Sequence, residues 1–218
     1  MWVATPVSRL ARRKAVTRQA LLDAGRRMLA DGTAAAASIQ DITNEADVGF
    51  GTFYNHFEDK DEFFSAAAQQ VLEQWGNYLD HDPPETDDTA VVFVTAFRRS
   101  GRMLITHPEE ARLLYQSGFA LLDAPVGLAP RVRRDIQAAM AAGRFTLPGN
   151  DVELAVSKTA GYLFALLRSW LMSPKSVDVQ VIDEASAELL RAFGIRPAEA
   201  RRLAHVALPD NPSLYELR

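Results

Sequence analysis

Residues 38–60, SIQDITNEADVGFGTFYNHFEDK, limit the fold of this 218-residue chain more than any other stretch. Ser38 is placed to cap a helix, because its hydroxyl can accept from the orphan amides of the first turn. Ile39, Ile42 and Ala46 follow at helical spacing and define a short apolar face. Asp47, Val48 and Gly49 interrupt it. Such a turn needs a residue that tolerates positive φ, and Asp is one of the few besides Gly that visits the left-handed region. Val48, Phe53 and Phe57 then resume an apolar stripe that can pack on the first helix. Helix, tight turn, short second helix and a lysine opening a third form the pattern of a major-groove reader. The same spacing also suits a compact helical hairpin in a larger bundle, and Phe53 and Phe57 are core residues in both readings.

The remaining side chains discriminate between the two. Thr52, Tyr54 and His56 can donate to phosphate, and Asn55 can read a base edge. Gly51 carries no side chain, so its backbone could approach DNA closely. Phe50 is a costly aromatic on an inert surface but suits contact with a thymine methyl. Lys60 stands at the next helix start, where the positive dipole end favours a phosphate.

Ile42, Thr43, Ala46, Val48, Gly51, Thr52, Phe53, Tyr54, His56, Phe57, Lys60 and Phe63 together resemble the DNA-binding domain of TetR/AcrR-type transcriptional regulators. The resemblance is specific over about residues 14–75 and weak beyond. Thr43, Asp47 and Gly49 depart from the usual Ala, Gly and Ser-like cap. Gly49 removes a side-chain phosphate donor and leaves its backbone amide to serve. The resemblance implies Gln40, Phe50 and Gly51 near bases, and Thr52, Tyr54, His56 and Lys60 on phosphates. The candidate DNA-contacting set is therefore Ser38, Gln40, Phe50, Gly51, Thr52, Tyr54, Asn55, His56 and Lys60.

Net charge is −4, which by itself argues against nucleic acid, but its distribution reverses that. Residues 1–30 hold seven basic side chains against one acid, Asp23, leaving +6 there and −10 on the rest. A basic end on an acidic body is associated with nucleic-acid contact, although a solvated, disordered arm has the same composition. Such an arm adds salt-dependent affinity and can enter the minor groove. The chain is 48% hydrophobic and 24% charged, as expected of a soluble globular protein. It has no cysteine, which excludes disulfides and thiolate metal sites. No long apolar run predicts a membrane span. The basic N-terminus lacks the apolar core of a signal peptide, so cytoplasmic residence is expected.

Periodicity predicts an all-α chain of about nine to ten helices. Residues 1 to about 12 are expected to be disordered. Helix one is expected over about 14–31, with Val16, Ala20, Leu21, Ala24, Met28 and Leu29 on one face and Asp31–Gly32 as its stop. Helix four should run from Lys60 to about Asp80, bridging a DNA-binding domain (1–60) and a helical domain (61–218). HDPPETDD, residues 81–88, is the clearest linker. His81 with its nearby carboxylates hints at a metal, but no helical ligand spacing organises the cluster, so a solvated loop capping the next helix is expected. Further helices are predicted over about 87–106, 108–119, 127–143, 151–172, 179–193 and 197–207.

The helix over 151–172 is apolar on nearly all sides, so it must be buried on all sides. One face suits its own core and another a partner subunit, with Ala160, Gly161 and Ala165 small enough for close approach. The resemblance implies a two-fold dimer in which 151–172 and 179–193 of each subunit form a four-helix bundle. A monomeric core is the alternative. A dimer would also separate two readers by one DNA turn, roughly 34–36 Å.

Aromatic and apolar side chains on helices four to eight are candidates for a ligand cavity, and equally for ordinary core. The set is Trp75, Tyr78, Phe97, Leu104, Tyr115, Phe119, Tyr162 and Trp170. Trp75, Tyr115, Tyr162 and Trp170 carry polar handles that need partners when buried. No catalytic constellation, metal site or cofactor motif is visible. The expected function is a homodimeric repressor that binds a palindromic double-stranded operator and is released by a small, mainly apolar effector. A DNA-binding regulator with no small ligand, or a helical carrier or enzyme, would share much of this sequence.

Overall fold

The computed structural model describes residues 8–208. Ten α-helices run through them: α1 (Arg9–Ala30), α2 (Ile39–Glu45), α3 (Phe50–Phe53), α4 (Lys60–His81), α5 (Thr89–Thr106), α6 (Pro108–Ser117), α7 (Leu128–Ala141), α8 (Val152–Met172), α9 (Val179–Ala192) and α10 (Pro197–Ala204). No strand occurs among the described residues, in keeping with the all-α reading. None of these helices is long and apolar enough to cross a membrane.

The described residues fall into two compact units that divide between Gln70 and Val71, inside α4 rather than at its start. The reason lies in the first unit's core. Phe63 and Ala67 of α4 are buried with Leu21, Leu22, Ile42, Phe53 and Phe57, so the first turns of α4 fold with the helix-turn-helix. Phe53, Phe57 and Phe63 form a triangle with ring centroids 5.1–5.7 Å apart. Gly25 lets α1 approach this cluster, since a Cβ there would lie 2.7 Å from the Phe63 ring.

Helix α1 begins at Arg9, several residues before its expected start. Ser8 caps it by accepting from the Ala11 amide at 3.1 Å, and residues 9–14 contain no helix breaker. Of the expected disordered arm, residues 8–12 are therefore cap and helix, while residues 1–7 lie outside the described residues. Val16 is 64% exposed, and Leu22 and Gly25 fill the face it was expected to share.

Helix α2 opens with a reciprocal capping box between Ser38 and Asp41. It closes with Asp47 at φ +53°, where the Asp47 amide donates to Asn44 O and the Val48 amide to Thr43 O. That is a Schellman stop with Asp in the place usually held by Gly. Thr43, fully buried where Ala is usual, satisfies its hydroxyl on Ile39 O at 3.0 Å.

In the second unit α5 packs against α6, α7, α8, α9 and α10. Most of its residues are buried, as befits a central helix. Gly101 permits close passage of α9, since a Cβ would meet Ile182 at 2.7 Å. The acid-rich loop before α5 supplies its cap, with the Asp88 carboxylate accepting from the Ala90 amide and from Arg144. Two buried arginines are held by neighbouring elements. Arg98 pairs with Asp183 of α9 at 2.7 Å and donates to Val206 O. Arg99 donates to the carbonyls of Tyr78, Leu79 and Asp82 at the end of α4 and lies over the Tyr78 ring. Helix α8 buries Ala155, Val156, Thr159, Leu166 and Leu167 in its own unit, but leaves Leu154 and Met172 exposed.

The Arg98–Asp183 pair yields a stability prediction. Asp183→Ala leaves a guanidinium buried without its carboxylate and is expected to cost about 3–5 kcal/mol in urea unfolding. The double variant Arg98→Met/Asp183→Leu is expected to recover most of that loss.

Candidate functional site

The surface of the first unit is built outward from the Phe triangle. Helix α3 is only four residues long, and Phe53 anchors it in the core. Tyr54, Asn55 and His56 follow in a tight turn rather than in the helix. The Asn55 and His56 amides donate to Thr52 O and Phe53 O, the tightened geometry of a helix end. With Phe53 held inward, Phe50 and Tyr54 stand 48% and 54% exposed, edge to face with ring centroids 6.0 Å apart. Gly51 lies between them in helical conformation, and a Cβ added there would meet nothing within 4 Å. The fold itself therefore gives no reason for glycine at 51. Gly49 has the extended φ/ψ of an N-cap but no side chain to act as one.

The other sequence candidates have internal partners as well as exposed surface. Ser38 is exposed but holds the capping box, donating to Asp41 Oδ2 at 2.6 Å. Gln40 is exposed, and its amide donates to Asn44 at 2.8 Å. Thr52, His56 and Lys60 are half-buried, and Asn55 is exposed. The Lys60 ammonium donates to Ala37 O at 2.7 Å, which ties the start of α4 to the approach of α2. The start of α4 is also self-capped. Asp59 accepts from the Glu62 amide and Glu62 from the Glu58 amide, so a phosphate there would compete with the chain's own carboxylates.

His56 Nδ1 is buried with no partner. Burial, with Lys14 and Arg18 nearby, holds the imidazole below the usual histidine pKa. The ring is therefore neutral at pH 7 and carries a single N–H. Arg18 stacks over Phe57 at 5.1 Å. Arg9, Arg12, Arg13 and Lys14 lie exposed along the first turns of α1.

The second unit holds a cavity of about 270 Å³. Its apolar wall includes Leu79, Phe93, Phe97, Leu128, Val132 and Leu163, and its polar wall Asp80, Thr95, Arg99, Arg131, Arg134 and Asp135. A smaller cavity of about 60 Å³ shares Ser100, Leu128, Val132, Thr159 and Leu163 with it. Thr95 Oγ1 and Arg99 Nε are buried without hydrogen-bond partners. Burial pushes the Asp135 carboxyl above the usual carboxylate range, against the pull of Arg134 bound at 2.8 Å. Arg131 is held by Asp80 and Glu73.

Of the residues proposed from sequence for a ligand, Phe97 lines the larger cavity, and Trp75 and Leu104 line the smaller. The Trp75 indole N–H is buried and unpartnered. The other five lie off both walls. Tyr78 is buried beneath Arg99. Tyr115 is exposed with its hydroxyl on Arg168. Phe119 is exposed against Phe164. Tyr162 and Trp170 pack partly buried against the main core. The aromatic criterion overlooked the polar wall. The sequence signal for it was present, since Thr95 interrupts the apolar run from Ala90 to Phe97 with Arg99 one turn on, and Asp135 interrupts the stripe Leu128, Val132, Ile136 and Ala139.

Two family models match the sequence: bacterial regulatory proteins of the tetR family over residues 21–67, and the tetracyclin repressor-like C-terminal domain over residues 88–206. The chain belongs to the TetR family. As a TetR-family transcriptional regulator, it carries the DNA-binding motif in the first unit and the C-terminal family domain in the second. RolR solved without ligand is 32% identical over 88% of this chain and 98% of its own, with a TM-score of 0.69. RolR in complex with resorcinol is 29% identical over 93% and 100%, with a TM-score of 0.63. A putative tetR-family regulator from Shewanella sp. PV-4, 16% identical over 83% and 99%, shares the fold with a TM-score of 0.72. No curated protein sequence matches the chain.

The TetR-family turn and its histidine each give a test. Asp47→Val places a β-branched residue at φ +53° and is expected to cost about 1–2 kcal/mol. Asp47→Gly is expected to stay within about 0.5 kcal/mol of the parent, both read by urea unfolding. His56 binds its proton less readily folded than unfolded, so its stabilising contribution is present above the ordinary histidine pKa and is lost as the pH falls through it. The stability of His56→Gln is expected to fall less steeply than that of the parent between about pH 7 and 5.

Proposed function

We propose that this regulator is a ligand-responsive repressor. It binds a palindromic operator as a dimer and leaves it when a small molecule fills the second unit. The observation that carries the DNA part is the outer face of α3. Phe50 and Tyr54 stand exposed on either side of Gly51, whose missing side chain serves nothing inside the chain. An exposed aromatic pair flanking an open backbone is costly on an inert surface and useful against base edges and phosphate. The exposed arginines of α1 add a sequence-independent term.

The dimer reading is supported by the uncovered apolar side chains Leu154 and Met172 of α8 and Val179 of α9. Gly161 fits it too, since a Cβ there would meet nothing within 4 Å, leaving room for a second helix to approach. The ligand reading is supported by the cavity and by two relatives: RolR was solved with resorcinol, and FadR of Bacillus subtilis with stearoyl-CoA. A space of about 270 Å³ accepts a single-ring molecule such as the first and not a long acyl-CoA. Such a ligand would act through the second half of α4, which brings Leu79 and Asp80 to the cavity wall, while the first half belongs to the DNA-binding unit.

A duplex selected from a random pool tests the DNA reading. Gly51→Leu is expected to unfold in urea like the parent, yet to bind that duplex at least about tenfold more weakly in fluorescence anisotropy. Tyr54→Phe is expected to lose a few-fold. Replacing Arg12 and Arg13 by Ala is expected to flatten the salt dependence, by up to about 0.9 in slope for each phosphate no longer neutralised. Unchanged affinity in Gly51→Leu and Tyr54→Phe together would overturn the assignment. Lys60→Ala is the poorer probe, because it also removes the tie to Ala37.

A further inference from the structure

We infer that the larger cavity takes a short hydrocarbon monocarboxylate, with the carboxylate on Arg99 and Thr95 of α5 and the hydrocarbon on Phe93, Phe97, Val132 and Leu163. This rests on the ligand-responsive reading above and adds the chemical class.

The inference begins with charge. Five charged side chains line the cavity: Asp80, Arg99, Arg131, Arg134 and Asp135. Four of them are in ion pairs with one another, Asp80 with Arg131 at 2.6 Å and Arg134 at 3.4 Å, and Asp135 with Arg134 at 2.8 Å. Arg99 is 1% exposed and has no carboxylate partner among the described residues. Carbonyls at the end of α4 and the face of Tyr78 are what answer its charge. A helix C-terminus supplies the equivalent of only about half an elementary charge. A buried guanidinium so placed is short of an anion, and a monocarboxylate supplies one. A phosphate ester would bring close to two charges to a single cation and leave the excess buried.

Hydrogen bonding points to the same corner. Three hydroxyls line the cavity, those of Thr95, Ser100 and Thr159. Ser100 donates to Ala96 O and Thr159 to Ala155 O, each at 2.9 Å, the usual resort of a hydroxyl inside a helix. Thr95, also 1% exposed, makes no such bond, and its Oγ1 is buried without a partner, as is Arg99 Nε. Residues four apart on a helix are neighbours on one face, so one ligand group can meet both. Each can donate, and a carboxylate only accepts, so it asks for nothing in return. A primary amide of the same shape brings N–H groups that need acceptors of their own.

The two aspartates on the wall do not cancel this. Asp80 is 39% exposed and is held by two arginines, so solvent and its partners screen it. Burial pushes the Asp135 carboxyl towards its uncharged form, in which it does not repel an anion. Size sets the length of the ligand. A cavity of about 150 Å³ already takes benzene, so about 270 Å³ leaves room for one ring or a short chain with its carboxylate, and not for a long acyl chain.

Isothermal titration calorimetry of the full-length protein with benzoate, hexanoate, benzamide, resorcinol and stearate tests this. Benzoate or hexanoate is expected to bind at least about tenfold more tightly than benzamide, which matches benzoate in size but carries no charge. Thr95→Val is expected to weaken that carboxylate several-fold while its ligand-free Tm is equal to or above the parent's, because the variant removes an unsatisfied hydroxyl. A merely structural Thr95 would lower the Tm and leave the affinity alone. Arg99→Gln is expected to lower the Tm, since it gives up bonds to the end of α4, and in its folded state to bind benzoate no better than benzamide. If that variant does not fold, the parent's preference for benzoate over benzamide and the Thr95→Val comparison decide. Binding of neither short carboxylate, tighter binding of benzamide, resorcinol or stearate, or an unchanged affinity in Thr95→Val overturns the class. The same compounds added to the protein–duplex complex separate the two readings. Carboxylate binding without duplex release refutes the ligand-responsive repressor and keeps the anion site, and release by resorcinol with no carboxylate bound does the reverse.

Discussion

A guanidinium that is 1% exposed must recover from protein the hydrogen bonds it gives up to water, and Arg99 recovers them in one place. Its two terminal nitrogens reach Tyr78 O, Leu79 O and Asp82 O, carbonyls that the end of α4 leaves without helical partners. Each group thus meets the other's need: the helix end receives donors and a cation, and the buried cation receives acceptors. The face of Tyr78 completes the setting at 4.6 Å. Only Nε is left over, on a side chain that lines the cavity together with Thr95. The residue that caps the end of α4 therefore also belongs to the cavity lining.

The DNA-binding unit depends on a different set of interactions. A four-residue helix has no stability of its own, because nucleation costs more than so few hydrogen bonds return. Helix α3 exists because Phe53 belongs to the aromatic triangle and because Asp47 ends α2 sharply enough to turn the chain. With both ends determined by core packing, the outward side chains are free of structural duty. Phe50, Gly51 and Tyr54 can then be selected for what lies outside the molecule, which is why their exposure is informative while that of Leu10 or Val16 is not.

The elements that repeat with the helical period were legible to within about two residues for α4 to α9, where prolines, glycines and acidic caps mark most of the ends, whereas α10 ends at Ala204, short of its expected end near 207, with no such marker. The left-handed turn at Asp47 was legible too, because few side chains tolerate that conformation. Helix α1 was placed too late because charge was read as disorder, although Arg and Lys are good helix formers and Ser8 is a good cap. The cavity was located only in part. Aromatic bulk marks a core as readily as a pocket, so Phe97, Trp75 and Leu104 reached a cavity wall while Tyr115 and Phe119 lie at the surface. What distinguishes a pocket from a core is a polar atom without a partner, as at Thr95. That is a property of three-dimensional neighbours and leaves only a faint trace in the order of residues.

A ligand can shift a conformational equilibrium only by the difference in its affinity for the two states. In the proposed mechanism that difference has an identifiable source. A hydrogen bond newly made to the buried Thr95 hydroxyl would contribute about 0.5–1.5 kcal/mol and one to the charged Arg99 Nε about 1.5–3 kcal/mol, so either alone is enough for a coupling of about 1 kcal/mol or more. That is within the range of typical allosteric coupling, about 1–3 kcal/mol or roughly 5- to 150-fold in affinity. The apolar wall does not supply it to the same degree, because a ring gains its burial from any conformation that keeps the cavity closed. Affinity would then reside largely in the hydrocarbon wall, and the change in DNA binding in the two polar atoms next to the end of α4. A ligand that fills the apolar wall but reaches neither polar atom should on this account bind measurably and release DNA poorly.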